Sequence, residues 1–523
     1  LTPQATNPVI LLNKENGVLN VGITAVWPSK TNEPGKVRMG KWTQYGMQAA
    51  WTVMSADLKT GEGDIIIQGN EHTETFILDA NSEVVGRVDT DDKKNVWTLF
   101  ARDGNSWRSI YSATSDTGES PIVSATLPDG RFAAIGRIGD DDRDSLAAID
   151  PKTGQTTKLF SDARYDVGGY IKDRWTNTIV GASHVADFST QTFFDPQLQK
   201  VRDAVAAKFP NTYALLESWD AARSLFVVRA QASGGPPALY LYRAAQGQLQ
   251  RLGSLYPSVD DASSGQRVAL TYKARDGTPI PSYLTTPVGQ PMKNLPLVML
   301  VHGGPASRDT FAFDYWASFL ASRGYAVLQP NFRGSDGYGD KWEKAGYHQW
   351  GGLMQNDVSD GVAAMIKAGI ADPARVCIVG ASYGGYAALA GATMTPDLYR
   401  CAVSVGGISD LMAMQYRLKQ FASGNSASVD YWRLSIGEGE ANLKSLSPIQ
   451  HVDAVKAPIL LLHGRDDTVV PFDQSFTMSN ALRNAHKNVR LVELVADDHW
   501  LSFADTRTQA LTEIETFLAA NLK

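Results

Sequence analysis

Val376-Cys377-Ile378-Val379-Gly380-Ala381-Ser382-Tyr383-Gly384-Gly385-Tyr386 is the stretch on which the fold turns. Val376 to Val379 is an uninterrupted apolar run, the pattern of a strand buried on both faces, and Tyr386 to Met394 has the pattern of a helix. The glycines between them let backbone and helix approach so closely that a Cβ would clash. The same sharp turn lifts the Ser382 hydroxyl above the sheet, at the helix N-terminus. G-x-S-x-G is common by itself. Set between a buried strand and a helix, it marks a nucleophile.

Similar apolar runs flank it: Leu297 to Val301, Tyr325 to Leu328, Ala402 to Val405, Ile459 to Leu462 and Leu491 to Val495. Amphipathic segments alternate with them at Phe311 to Arg323, Asp357 to Ala368, Gln474 to Ala485 and Thr508 to Leu522. That alternation predicts a mostly parallel, doubly wound sheet with helices on both faces over residues 257–523.

A serine hydroxyl is a poor nucleophile until a base removes its proton, so an acid and then a histidine should follow Ser382. Four histidines do: His451, His463, His486 and His499. His486 falls at a polar helix end, His451 beside a helix-like linker, and His463 ends a buried strand and reads as structural. His499 lies in Asp497-Asp498-His499-Trp500, directly after the last strand, where a base reaches over the nucleophile. The acid belongs after the preceding strand, in His463-Gly464-Arg465-Asp466-Asp467-Thr468-Val469-Val470-Pro471, and on chemistry alone either Asp466 or Asp467 serves. The developing oxyanion needs two donors. The Tyr383 N–H supplies one, and the glycine-rich His302-Gly303-Gly304-Pro305 loop is expected to supply the other.

Upstream the texture is different. An apolar stretch ending in Asp or Arg before a turn recurs at Asp57, Asp103, Asp150, Asp195 and Arg243, spaced by 46, 47, 45 and 48 residues. Short strands at that period predict the blades of a β-propeller over residues 1–256. A weaker copy lies at Leu12-Asn13. Leu198 to Phe209 carries apolar residues at helical spacing after a proline, which predicts a helical insertion in one blade. The acidic run Asp140 to Asp144 lacks the glycine and terminal glutamate of a calcium loop and reads as a solvated turn.

Composition excludes several classes. The 523 residues are 43% hydrophobic and 20% charged, with 49 basic against 55 acidic residues. A net charge of −6 lacks the basic footprint of a nucleic-acid binder. No apolar run approaches the about 20 residues that span a bilayer. Two cysteines cannot form a four-cysteine zinc site, and Cys377 and Cys401, in adjacent buried strands, read most simply as small core residues, with a disulfide between them as the alternative. No H-E-x-x-H or P-loop is present, so neither metal nor other cofactor is expected.

Taken together, His302-Gly303-Gly304-Pro305, Asn331-Phe332-Arg333-Gly334-Ser335-Asp336-Gly337-Tyr338-Gly339, Gly380 to Gly385, the His463 to Pro471 stretch and the His499 loop resemble the prolyl oligopeptidase family of serine peptidases. The likeness is to its acylaminoacyl-peptidase and dipeptidyl-aminopeptidase branch. It implies an α/β-hydrolase domain behind an N-terminal propeller, and an enzyme that hydrolyses short peptides through an acyl-enzyme. The resemblance selects Asp467 as the acid and Gly304 N–H as the second oxyanion donor. Many members carry Arg where this chain has Val469, and the paired glutamates that hold a free amine in dipeptidyl peptidases have no counterpart we can place. Trp342 and Trp350 flank the Asn331 to Gly339 loop, as cleft lining or as packing.

The rival readings are an esterase or amidase on the same three side chains, and a propeller interaction protein without catalysis. Expected partners are a short peptide, with folded proteins kept out by the propeller, and further copies of the chain as a homo-oligomer. The opening Leu1-Thr2-Pro3-Gln4 lacks an initiator Met, which leans the compartment towards the periplasm or secretion. The resemblance implies seven blades where five turns are clear, so Leu1 is expected to lie inside a propeller whose first blade sequence is absent.

Overall fold

The computed structural model describes residues 25–27, 36–45, 48–57, 59–60, 63–91, 94–114, 121–139, 141–210, 213–231, 234–260, 264–421 and 427–522. The chain divides into two compact units. One is formed by Leu1–His184, Thr190–Ala204 and Leu216–Phe226, the other by Val185–Ser189, Val205–Leu215 and Val227–Lys523.

The repeat marks one structural position, the turn after the third strand of each antiparallel set. Asp57 ends the third of Ala25–Trp27, Lys36–Tyr45, Gln48–Asp57 and Gly63–Gln68. Asp103 ends the third of Thr73–Leu78, Val84–Asp91, Val96–Asp103 and Ser106–Thr114. Asp150 follows the third of Ile122–Thr126, Phe132–Gly136, Ser145–Ile149 and Thr156–Phe160, and Arg243 ends the third of Tyr213–Trp219, Leu225–Gln231, Ala238–Arg243 and Gln248–Ser254. The remaining set has only three strands, Gly169–Asp173, Thr178–Val185 and Ser189–Phe193, and then Asp195.

There the helix Pro196–Ala206 stands where a fourth strand would be, so the expected insertion is a replacement. Asp150 and Asp195 begin alike. Each precedes a proline, and each side chain accepts from the backbone N–H groups two and three residues on, at 2.6 and 3.2 Å for Asp150 and at 2.9 and 3.1 Å for Asp195. That geometry fits both an Asx turn and a helix cap with proline at its first position. The difference is Gly154, whose φ of +74° reverses the chain, against Gln199, which continues the helix.

Apolar side chains fill the space between successive sheets: Trp51, Val53, Phe76 and Leu78 in one layer, Val88, Leu99, Phe132 and Ile149 in the next, Ala133, Leu146, Val167 and Ile179 in a third. These antiparallel sets are the blades of a β-propeller. The copy at Leu12-Asn13, Asp140 and the chain start fall outside the described residues. Of the remaining acidic run, Asp141 pairs with Lys158 and Asp142 with Arg143.

The second unit holds an eight-stranded sheet in the spatial order Gln266–Lys273, Pro279–Thr286, Ala326–Pro330, Leu295–Val301, Ala371–Ala381, Cys401–Val405, Ile459–Gly464 and Val489–Leu494. The last six run parallel, and the leading hairpin, which sequence periodicity did not reveal, is antiparallel. Successive strand residues alternate between two cores. Leu297, Met299, Val376, Ile378 and Leu461 meet the helices Leu353–Lys367 and Tyr383–Met394, whereas Val298, Leu300, Val379, Val403 and Leu460 meet Tyr315–Ser322 and Ala504–Asn521. Both faces are buried, as the continuous apolar runs required. The first of these helices starts at Tyr315, later than Phe311, because Asp314 caps it by accepting from Ala317 N at 2.9 Å.

One expectation is corrected. Cys377 and Cys401 are directly opposite in register, with Cα atoms 4.7 Å apart, and form a disulfide. Among the described residues no helix is long and apolar enough to cross a membrane.

Candidate active site

The order of strands reverses beside Leu295–Val301: the chain passes first to Ala326–Pro330 on one side, then returns to Ala371–Ala381 on the other. In an open α/β sheet this is where loops at the carboxyl ends of the strands part and leave a crevice. Ser382 follows one of these strands and His302 the other.

Ser382 has φ 58° and ψ −120°, a strained conformation for a residue with a Cβ, and its N–H donates to Val405 O at 2.9 Å. The turn is held by contacts that exclude side chains. A Cβ on Gly380 would lie 2.3 Å from Gly384 O, and one on Gly384 would lie 2.0 Å from Val301 O. Tyr383 opens the helix Tyr383–Met394, where first-turn N–H groups have no intrahelical acceptor.

The structure brings Asp467, His499 and Ser382 into one line. His499 Nδ1 is 2.7 Å from Asp467 Oδ2, and its Nε2 is 3.0 Å from Ser382 Oγ. A carboxylate only accepts, so Nδ1 carries the ring proton and Nε2 is left as the acceptor for the serine hydroxyl. Asp467 Oδ1 accepts from the N–H groups of Val469 and Val470 at 2.9 and 2.8 Å. Burial would raise its pKa, but hydrogen bonds from His463 and His499, with the neighbouring imidazole charge, outweigh burial and hold the carboxyl well below its usual range. Asp466, the other candidate, is exposed, and its N–H is turned to Asp497 O.

The Gly303–Gly304 loop lies against Ser382: a Cβ on Gly303 would stand 3.2 Å from Ser382 Cβ. Gly304 has φ 113°, a conformation open to glycine. His302 anchors the loop, its Nδ1–H donating to Gly303 O at 2.7 Å while Nε2 lies 3.0 Å from Ser335 Oγ. Burial lowers the pKa of His302 to about 4, so it stays neutral. Phe332 stacks on the His302 ring at 4.4 Å and packs 5.4 Å from Tyr383. Next to it Arg333 binds Asp357 through two nitrogens at 2.5 and 2.8 Å, and Asp276 at 2.7 Å. Within the Asn331 to Gly339 stretch, Phe332 and Ser335 thus brace the His302 ring.

Trp350 is buried, edge-on to Tyr383 and tilted against Tyr386 with its indole N–H on Ser435, so its role is packing; Trp342 is half-buried beside Tyr338. His451 binds Ser445 O, and His486 is exposed at a helix end. Sequence reading missed Gly406, where a Cβ would meet Asp467 Oδ2 at 3.4 Å and His499 Nδ1 at 3.6 Å. The signal was available: Gly406-Gly407 directly follows the buried strand Cys401–Val405. Among the described residues no group of three or more His, Cys, Asp or Glu could hold a metal ion.

The chain is similar to several known proteins. Residues 311–523 match the model of the prolyl oligopeptidase family. Dipeptidyl aminopeptidase BIII of Pseudoxanthomonas mexicana is 31% identical over 386 residues, which cover 69% of this chain and 53% of that protein. The acylamino-acid-releasing enzyme of Homo sapiens is 26% identical over 258 residues, covering 47% of this chain and 34% of that one. The chain thus spans about half the length or less of the curated relatives it matches. A puromycin hydrolase crystal structure superposes with a TM-score of 0.71 at 19% identity, covering 96% of this chain and 80% of that one. Pyrococcus horikoshii acylaminoacyl peptidase gives 0.66 at 18% identity, with 98% and 90% coverage. At such identities the solved structures speak for the fold alone. The α/β unit of this chain belongs to the prolyl oligopeptidase family.

Proposed function

We propose that this chain is a serine peptidase that hydrolyses short peptides through an acyl-enzyme, with residues 257–523 as the catalytic domain and 1–256 as the propeller. Ser382 Oγ attacks the scissile carbonyl while His499 Nε2 takes its proton. The tetrahedral oxyanion is held by the N–H groups of Tyr383 and Gly304. Its collapse breaks the C–N bond, and His499 returns the proton to the leaving amine. Water then attacks the ester by the same route and frees the acid. Asp467 keeps the imidazole in its Nδ1–H tautomer and stabilises the cation that forms.

The observation that carries this reading is the continuous Ser382–His499–Asp467 hydrogen-bonded chain at the carboxyl ends of parallel strands. The relatives' names, dipeptidyl aminopeptidase and acylamino-acid-releasing enzyme, favour cleavage close to a peptide's N-terminus over internal cleavage. The Cys377–Cys401 bridge fits a compartment that keeps disulfides oxidised.

The test has two arms. A fluorophosphonate should label the wild-type chain and fail on Ser382→Ala; equal labelling of both removes Ser382 as the nucleophile. Alanyl, dipeptidyl and N-acetyl-alanyl anilides should then be compared with a nitrophenyl ester. Turnover of the ester alone would leave an esterase and defeat the peptidase reading.

A further inference from the structure

The carboxylate of Asp467 faces a second imidazole. His463 ends the strand Ile459–Gly464, is fully buried, and places Nε2 2.9 Å from Val470 O and 3.3 Å from Asp467 Oδ2. Both neighbours are acceptors only, so Nε2 must carry a proton. Nδ1 lies 2.8 Å from Ser475 Oγ, on the helix Asp473–Asn484, whose hydroxyl can donate to it. The ring edge packs on Phe472 at 5.7 Å. These contacts hold the ring in one orientation, with Nε2–H towards Val470 and Asp467. Asp467 accepts two backbone N–H groups on Oδ1 and the His499 Nδ1–H on Oδ2, and the His463 Nε2–H, directed to Val470 O, brings a second donor to 3.3 Å from the same Oδ2.

A ring that only filled the core would need no donor turned to this oxygen. We propose that His463 is a positioning residue for the acid of the site: its Nε2–H aligns Asp467 Oδ2 with His499 Nδ1 and limits the pull of that carboxylate on the imidazole. The inference rests on the roles assigned above to Ser382, His499 and Asp467. Without the second donor, Oδ2 presents its charge to His499 alone, which favours the imidazolium and loosens the orientation of the pair. The other charged group coupled to Asp467 is Asp498, whose carboxylate is held by the N–H groups of Trp500 and Ser502 and the Ser502 hydroxyl.

The experiment uses the full chain and the best anilide substrate, with kcat, KM and thermal unfolding measured from about pH 5 to 9 for His463→Leu, His463→Gln, His463→Met and Asp467→Asn. A hydrogen bond to a charged group corresponds to a ~10- to 100-fold effect. His463→Leu is therefore expected to lose kcat by about that factor, with KM within about twofold, and its acid limb of kcat/KM should move up by about one pH unit. His463→Gln, which restores an N–H near the Nε2 position, should recover most of the loss and the limb. A folded His463→Leu with wild-type kcat and acid limb overturns the proposal, and so does equal impairment of the Leu and Gln variants. Should His463→Leu not fold, His463→Met removes the same N–H with an unbranched side chain; the same upward shift is expected, and an unchanged profile overturns the proposal. Asp467→Asn separates the two levels. If it is fully active the assignment of the acid fails; if it is inactive while His463→Leu is silent, only the role of His463 fails.

Discussion

Gly384→Ala tests whether nucleophile and oxyanion loop are spaced by direct backbone contact. The added Cβ would stand 2.0 Å from Val301 O, 2.8 Å from Val301 C and 3.0 Å from His302 O. All three are backbone atoms, with no side chain to swing aside. Opening the closest contact to the 3.4 Å of ordinary packing requires the helix Tyr383–Met394 to retreat from the end of Leu295–Val301 by more than about 1 Å. Tyr383 opens that helix and Gly304 lies two residues beyond His302, so the retreat separates the two proposed oxyanion donors. A misplacement of about 1 Å costs catalysis roughly 100-fold. Stability should suffer less: overpacking costs about 1–3 kcal/mol, and alanine in a helix regains up to about 1 kcal/mol over glycine. The expected result is a fluorophosphonate labelling rate down about 100-fold with a melting temperature only a few degrees lower. Gly369→Ala is the control, a positive-φ glycine at the end of the helix Leu353–Lys367 with open space around a new Cβ. It should cost about 1 kcal/mol and leave labelling unchanged. Labelling of Gly384→Ala within threefold of wild type would refute the contact argument.

Two further outcomes are expected. The Cys377–Cys401 bridge closes a loop of 24 residues, so replacing both cysteines by alanine should cost about 3 kcal/mol on the chain-entropy estimate, and wild-type protein unfolded without reductant should titrate no thiols; two reactive thiols would refute the bridge. Asp309 shares the Gln329 amide with Asp314, and burial followed by repulsion from Asp314 raises its pKa to about 7. The fold favours its protonated form, a stabilisation complete below the unfolded value near ~4 and lost as the pH rises through about 7. Urea midpoints should therefore fall from pH 5 to pH 8 by more in wild type than in Asp309→Asn, and equal slopes would show that Asp309 does not titrate there.

Several elements were legible because their determinants are local. The side chains of Asp57, Asp150 and Asp195 accept from backbone N–H groups two and three residues on, a determinant carried by neighbouring atoms, so the recurring spacing fell on the same strand turn in each set. The buried strands announced themselves by uninterrupted apolar runs, and the start of the helix after Asp195 by its proline. Where the reading missed, the determinant was local but of the opposite sense, as when Asp314 moved a helix start to Tyr315, or lay on another part of the chain. The edge hairpin Gln266–Thr286 shows mixed burial and gave no periodic signal of its own.

By itself, the sequence determined that there is a repeat of antiparallel strands, a doubly wound parallel sheet, and a serine at a strained strand-to-helix turn, because hydrophobic period and turn chemistry act over a few residues. Which strands are neighbours was decided only by the tertiary structure. Register across Ala371–Ala381 and Cys401–Val405 put two core cysteines within bonding distance. The loop after Ile459–Gly464 turned Asp467 inward and left Asp466 in solvent, and brought a second histidine to the same carboxylate. Residues 24, 32 or 117 positions apart carry no mutual signal in composition or spacing. Their meeting follows from how the strands pair and where the burial of their two faces sets the loops.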